Sequence, residues 1–255
     1  HKAAGGAVDC GGPHAGAQVD LFALQHLGRT HGQLGSIHLA LQREDRALEL
    51  TDEAVALLER QSPRNDEAYA STLSRRGELR GRLGRFPDAM ADFDAALALQ
   101  TARAPDSLDV ARTLIARGEQ RAANGQEMEG VADYARALAI VQAHADTPLA
   151  LRAHTNNGYG IALWRADDCE RGEPYLREAV VLARQVYGEN HMETAGALSG
   201  LSLCLTHLLK FDESEAVSRE SLDILTRIFG TDHPALGQSR NNLANLLIRV
   251  GKLRE

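Results

Sequence analysis

A chain of 255 residues has room for one or two globular domains, and with 25% charged residues, ample aliphatics and only 4% aromatics it favours close helix packing over a β-sandwich. The net charge of −7 argues against non-specific nucleic-acid binding. No apolar run approaches the roughly 18 residues of a membrane span.

Residues 1–19 are rich in Gly and Ala, contain Gly11-Gly12-Pro13, and lack apolar periodicity; a linker or disordered segment is expected. Helical patterning begins at Asp20 and runs through residues 20–255. The first unit, about 20–62, allows two registers. Either helices run over about 21–41 and 45–60, or a turn at Gly35 leads into one long helix over about 37–60. Four hairpins follow, over about 66–104, 107–145, 149–188 and 191–230. Their first helices are expected at 66–83, 107–124, 149–166 and 191–208, and their second helices at 87–103, 128–144, 170–187 and 212–229. A last helix is expected over 233–250, in a partial unit 233–255. Loops such as Ala104-Pro105-Asp106-Ser107 and Gly230-Thr231-Asp232-His233-Pro234 carry turn and capping chemistry.

Shifting the sequence on itself exposes the organising feature. Ala54, Ala96, Ala137, Ala179 and Ser221 recur in steps of 42, 41, 42 and 42 residues. Gly77, Gly118, Gly160, Ser202 and Ala244 form a second column of small residues. Gly84, Gly125, Asp167, Leu209 and Gly251 form a third, at the turn. Three columns in one register mean stacked supersecondary units. Gly118 and Gly160 are expected at close helix contacts, with Leu badly tolerated there and Ala mild.

In Leu83 to Leu97, Gly84 breaks one helix and Pro87 stands at the start of the next. Phe86, Ala89, Phe93, Ala96 and Leu97 then share one face. With Leu34-Gly35, Gly125, Tyr134 and Ala137, Lys210-Phe211, the G-T-D-H-P loop at Gly230, and Asn241-Asn242-Leu243-Ala244, this pattern resembles tetratricopeptide repeats of the 42-residue kinesin-light-chain kind. The resemblance covers about 21–255. It implies an all-α, right-handed superhelical solenoid of five antiparallel hairpins and a final single helix. Arg76 and Arg117 stand where the family has Leu or Tyr, and Asp167 and Leu209 replace the turn glycine. These departures are expected to weaken single repeats and leave the array intact.

No phosphate loop, nucleophile elbow or H-E-x-x-H motif is present. No cofactor or metal is expected, and His31 and His38 are read as surface or packing residues. Cys10, Cys169 and Cys204 show no disulfide framework, and the last two are read as buried small hydrophobes. Asp92 and Asp94 are read as part of a solvated face.

The resemblance implies a protein-interaction module whose first helices line a concave groove. Positions ten, six, three and two before the turn lie on one side of those helices. They place Arg82, Asn157, Trp164, Arg165, His207, Asn241, Asn245 and Arg249 in the groove. Asn can bond both backbone groups of an extended peptide, and Arg can fork onto a carboxylate. An acidic, extended peptide is the expected partner, with neither nucleic acid nor membrane. The plain alternative is that Trp164 packs on a neighbouring helix and the arginines are solvated. Of 28 basic residues only Lys2, Lys210 and Lys252 are lysine, a bias suggesting GC-rich bacterial coding. Starting at His1 and stopping at Glu255, the chain reads as a cytoplasmic piece of a longer signalling protein, such as a Ser/Thr kinase. A sensor region of a transcription activator or signal-transduction ATPase, or a non-catalytic accessory part of an enzyme, is the alternative.

Overall fold

The computed structural model describes residues 44–251. His31, His38, Cys10 and the 1–19 segment lie outside the described residues, as do the positions on which the two first-unit registers differ. Within 44–251 the chain is helical, with ten α-helices and no strand. They are α1 (Glu44–Glu59), α2 (Asp66–Arg82), α3 (Phe86–Arg103), α4 (Leu108–Ala123), α5 (Glu127–Ala143), α6 (Leu149–Arg165), α7 (Cys169–Tyr187), α8 (Met192–His207), α9 (Phe211–Phe229) and α10 (Gly237–Arg249). The last is preceded by a 3-10 turn at Pro234–Leu236, which takes up the first residues of the helix expected from 233. The chain divides into two compact units, with the boundary after Leu99, inside α3.

Local chemistry explains the helix starts. Asn65 accepts from the Ala68 N–H at 3.1 Å and Ser107 from the Val110 N–H at 3.4 Å. His191 Nδ1 accepts from the Glu193 N–H, and His233 Nδ1 from the Ala235 N–H, one repeat later. Each of these histidines also stacks on the aromatic that ends the preceding helix, Tyr187 or Phe229, at 4.9 and 4.7 Å.

The turn column has one backbone conformation throughout. Gly84, Gly125 and Gly251 adopt φ of 74°, 77° and 75°, and Asp167 and Leu209 adopt 65° and 60°. The left-handed region costs an L side chain roughly 1–2 kcal/mol. Asp tolerates it better than Leu. Leu209 is 69% exposed, so its side chain recovers little by burial. Leu209→Gly should therefore stabilise the protein by about 0.5–1 kcal/mol, after glycine's extra freedom in the unfolded chain is set against the relieved strain. A thermal melt checks this; a lowered midpoint would show that the exposed leucine is held by contacts.

The small column Ala54, Ala96, Ala137, Ala179 and Ser221 is buried throughout. The other small column receives the side chain that projects from the hairpin's second helix. Phe93 covers Gly77, Tyr134 covers Gly118, and Leu176 covers Gly160. In the last hairpin a hydroxyl network replaces this apolar contact. Ser202 meets Ser218 at 2.5 Å and Ser214 at 3.4 Å, and Thr206 meets Ser214 at 2.7 Å.

One step along the helix, the same layer holds buried charge. In the first unit Arg76 forks onto Asp92 at 2.9 and 2.7 Å, and Arg80 reaches it at 2.7 Å. In the second unit Arg117 and Arg121 repeat that arrangement on Asp133 at 2.9, 2.5 and 2.8 Å. Asp92 is 4% exposed, so its reading as a solvated residue is corrected: two guanidiniums make its burial tolerable. The arginines that depart from the family pattern are half of a pair whose other half lies 16 residues on. One repeat later Tyr159 and Tyr175 occupy the two positions and meet edge to face at 4.8 Å.

Cys169 and Cys204 are buried, as expected, but they are joined in a disulfide between α7 and α8, with Cα atoms 5.3 Å apart. Their separation of 35 residues hides the pairing in the sequence. Ion pairs also link α7 to α9. Lys210, which precedes α9, reaches Glu173 at 2.7 Å, and Arg177 reaches Glu213 at 2.6 Å. Burial works to raise the Glu173 carboxyl, but hydrogen bonds from Lys210 and Arg177 outweigh it and hold the group below its ordinary range.

Candidate ligand-binding face

In the second unit each second helix packs against the first helix on either side of it, and successive first helices also touch: α4 with α6, α6 with α8, α8 with α10. The first helices thus form a continuous row. Residues ten, six, three and two before each turn stand on one face of it.

Asn157 of α6 is partly buried, and its Oδ1 is packed against Gly200 of α8 with no hydrogen-bond partner. It borders a small cavity of about 170 Å³ between α6, α7 and α8, floored by Ala179 and Ala183 and rimmed by His154, Tyr187 and Glu193. Trp164 is partly buried and packs against the apolar cluster of α7, α8 and α9. The guanidinium of Arg165 lies 5.8 Å from its ring centroid. Arg165 is exposed and has no carboxylate partner among the described residues. Asn241, Asn245 and Arg249 are exposed on α10, and Arg249 likewise has no carboxylate partner among the described residues.

The other two basic side chains are already engaged. His207 Nε2 lies 2.6 Å from the turn residue Asp167, an exposed contact of small energy. Arg82 belongs to the first unit, where its Nε donates to Glu44 at 2.9 Å. It is therefore not placed together with the residues of α6, α8 and α10. The chain's own carboxylates take up two of the four positive points read from the sequence, and no sequence column announces either pairing.

The periodicity does not reveal the tyrosine wedge behind this face. Tyr134 is 4% exposed, and its ring is caught between Gly118 of α4 and Gly158 of α6. Burial pushes its hydroxyl well above the usual tyrosine range. Gly158 escapes notice because its column reads Arg75, Ala116, Gly158, Gly200 and Asn242, with no common size. Among the described residues no cluster of three His, Cys, Asp or Glu is arranged to hold a metal ion. No described helix is long and apolar enough to cross a membrane.

Residues 151–216 and 193–255 match the family model described as tetratricopeptide repeat. No curated protein matches the chain. Solved structures show the same fold at low identity. A Podosopora anserina putative kinesin light chain with nearly identical TPR-like repeats is 15% identical, with TM-score 0.63, covering 80% of this chain and 96% of that one. BtubC (BKLC) from P. vanneervenii is 16% identical, with TM-score 0.62 and coverages of 93% and 85%. A thermophilic TPR protein of Thermus thermophilus is 17% identical, with TM-score 0.60 and coverages of 87% and 99%.

Proposed function

We propose that this chain is a protein-interaction module that holds an acidic, extended peptide against the row formed by α6, α8 and α10. The fold is one that serves generally for protein–protein interaction, and its repeats resemble those of kinesin light chains. The observation that carries the acidic reading is the pair Arg165 and Arg249. They occupy one register position two repeats apart, both exposed and neither engaged by a carboxylate among the described residues. Packed helices lie about 8–10 Å apart, so two repeats advance roughly 20 Å, close to six residues of extended chain. Asn157, Asn241 and Asn245 stand along the same row and offer amide groups to a peptide backbone. His207 contributes less, since Asp167 already occupies it. Trp164, half sunk in the core, offers one edge. The module would serve a cytoplasmic signalling protein, such as a bacterial Ser/Thr kinase carrying the array beside its catalytic domain.

The test is selection from a displayed library of unstructured peptides, followed by affinity measurement on Arg165→Glu with Arg249→Glu. Selected peptides should carry acidic residues about six apart, bind more weakly as salt rises, and lose at least tenfold in affinity on the double reversal. Peptides that lack acidic residues, or that bind the reversed protein equally well, would show that the arginines are solvated bystanders.

A further inference from the structure

On the side of the array away from this row, the junctions between successive second helices are not equivalent. Where α7 meets α9, Arg184 crosses from α7 to Glu220 at 2.5 Å and also touches Glu189 at 2.9 Å. Leu198 lies buried beneath, and Val217 packs beside it against the core. One repeat earlier, between α5 and α7, the carboxylate is kept but the residues around it are changed. Gln142 stands in place of Arg184, Glu178 in place of Glu220, Asn156 in place of Leu198, and Tyr175 in place of Val217. The result is a cleft of about 390 Å³ between α5, α6 and α7.

Glu178 is exposed in this cleft and has no hydrogen-bond or ion-pair partner among the described residues. The one cation lining the cleft, Arg152, is directed elsewhere. Its Nη2 donates to the carbonyl oxygens of His144 and Ala145 at 3.0 and 3.1 Å. There it offsets the negative C-terminal end of α5. The cleft therefore holds a carboxylate, an aromatic wall and an amide floor, and lacks the guanidinium that completes the neighbouring junction.

We propose that this outer cleft is a docking site for an arginine side chain supplied by a partner protein. The incoming guanidinium takes the place that Arg184 holds one repeat later. It forks onto Glu178 and lies along the Tyr175 ring, while Gln142 and Asn156 bond the groups around it. The site uses a different face of α6 from the one that carries Asn157 and Arg165, and it prefers the opposite charge. A single partner could thus present an acidic stretch to one side and an arginine to the other.

The experiment is a 15N NMR titration of the whole chain with the capped tripeptide acetyl-Gly-Arg-Gly-amide, against acetyl-Gly-Gln-Gly-amide as control. Saturable shifts are expected at the C-terminal end of α5, the start of α6 and Glu178 for the arginine peptide alone. Glu178→Gln should weaken binding about tenfold, the loss of one charge-assisted contact. Gln142→Arg should abolish it by supplying the guanidinium from within the chain, and its unchanged spectrum elsewhere would report that the fold is intact. Arg165→Glu should leave this binding unaltered, so that failure here and failure of the acidic-peptide reading are told apart. Absent saturation, equal binding of the glutamine peptide, or undiminished binding to Gln142→Arg would each overturn the assignment.

Discussion

Asp133→Ala should lower the stability of the second unit by about 3–5 kcal/mol, the typical cost of leaving a buried charge without its partner. Asp133 is 5% exposed and accepts three hydrogen bonds, two from Arg117 and one from Arg121. The arginine side chains are themselves only 15% and 22% exposed, so neither guanidinium can recover its hydration without distorting α4. The cost should appear in urea unfolding and as faster amide exchange across α4 and α5. The informative partner is a triple variant that copies the next repeat: Arg117→Tyr, Arg121→Leu and Asp133→Tyr, after Tyr159, Leu163 and Tyr175. Replacing a whole buried ionic cluster by packed apolar groups of similar volume is often neutral or stabilising by about 1–4 kcal/mol. The triple variant should therefore melt at or above the parent while the single variant melts well below it. If Asp133→Ala is as stable as the parent, the cluster is solvated and the burial argument fails. If the triple variant is the less stable of the two, the layer requires charge for a reason other than mutual satisfaction.

The second large effect lies at two glycines. The expectation that Ala is mild at Gly160 is corrected by the packing. A Cβ there would stand 2.4 Å from Leu176 Cγ and 3.2 Å from the Gly172 carbonyl oxygen. At Gly158 it would stand 2.3 Å from the Tyr134 ring. Both neighbours are buried and cannot swing away into solvent. Overpacking of this kind costs about 1–3 kcal/mol, more than the roughly 1 kcal/mol by which Ala improves helix propensity over Gly. Gly158→Ala and Gly160→Ala should each be destabilising. At Gly118 the contacts are 3.0 Å to the Tyr134 ring and 3.2 Å to the Gly130 carbonyl oxygen, so Ala there should cost less. A double-mutant cycle identifies the cause: with Tyr134→Leu in place, the cost of Gly158→Ala should largely vanish. Additive losses would mean that the ring is not the obstacle.

The sequence by itself determined the period, the helical hairpins and the turns. Helix spacing places the same residue class on the same face in every copy, and the left-handed turn selects one backbone conformation at one position. Even Asp167 and Leu209, which break the glycine column, fall into that conformation, because the hairpin geometry on either side demands it. Only the tertiary structure decided what fills each layer. Arg76 reads as a departure that weakens its repeat and Asp92 as a solvated charge 16 residues on, and the two become one buried pair when α2 and α3 are laid side by side. Cys169 and Cys204 are joined, Tyr134 is wedged against Gly158, and Arg82 and His207 are taken by Glu44 and Asp167. A column of small residues is a repeated constraint and leaves a periodic trace. A partner met once, across a single helix interface, leaves none, since its cost and its gain exist only when the two helices come together.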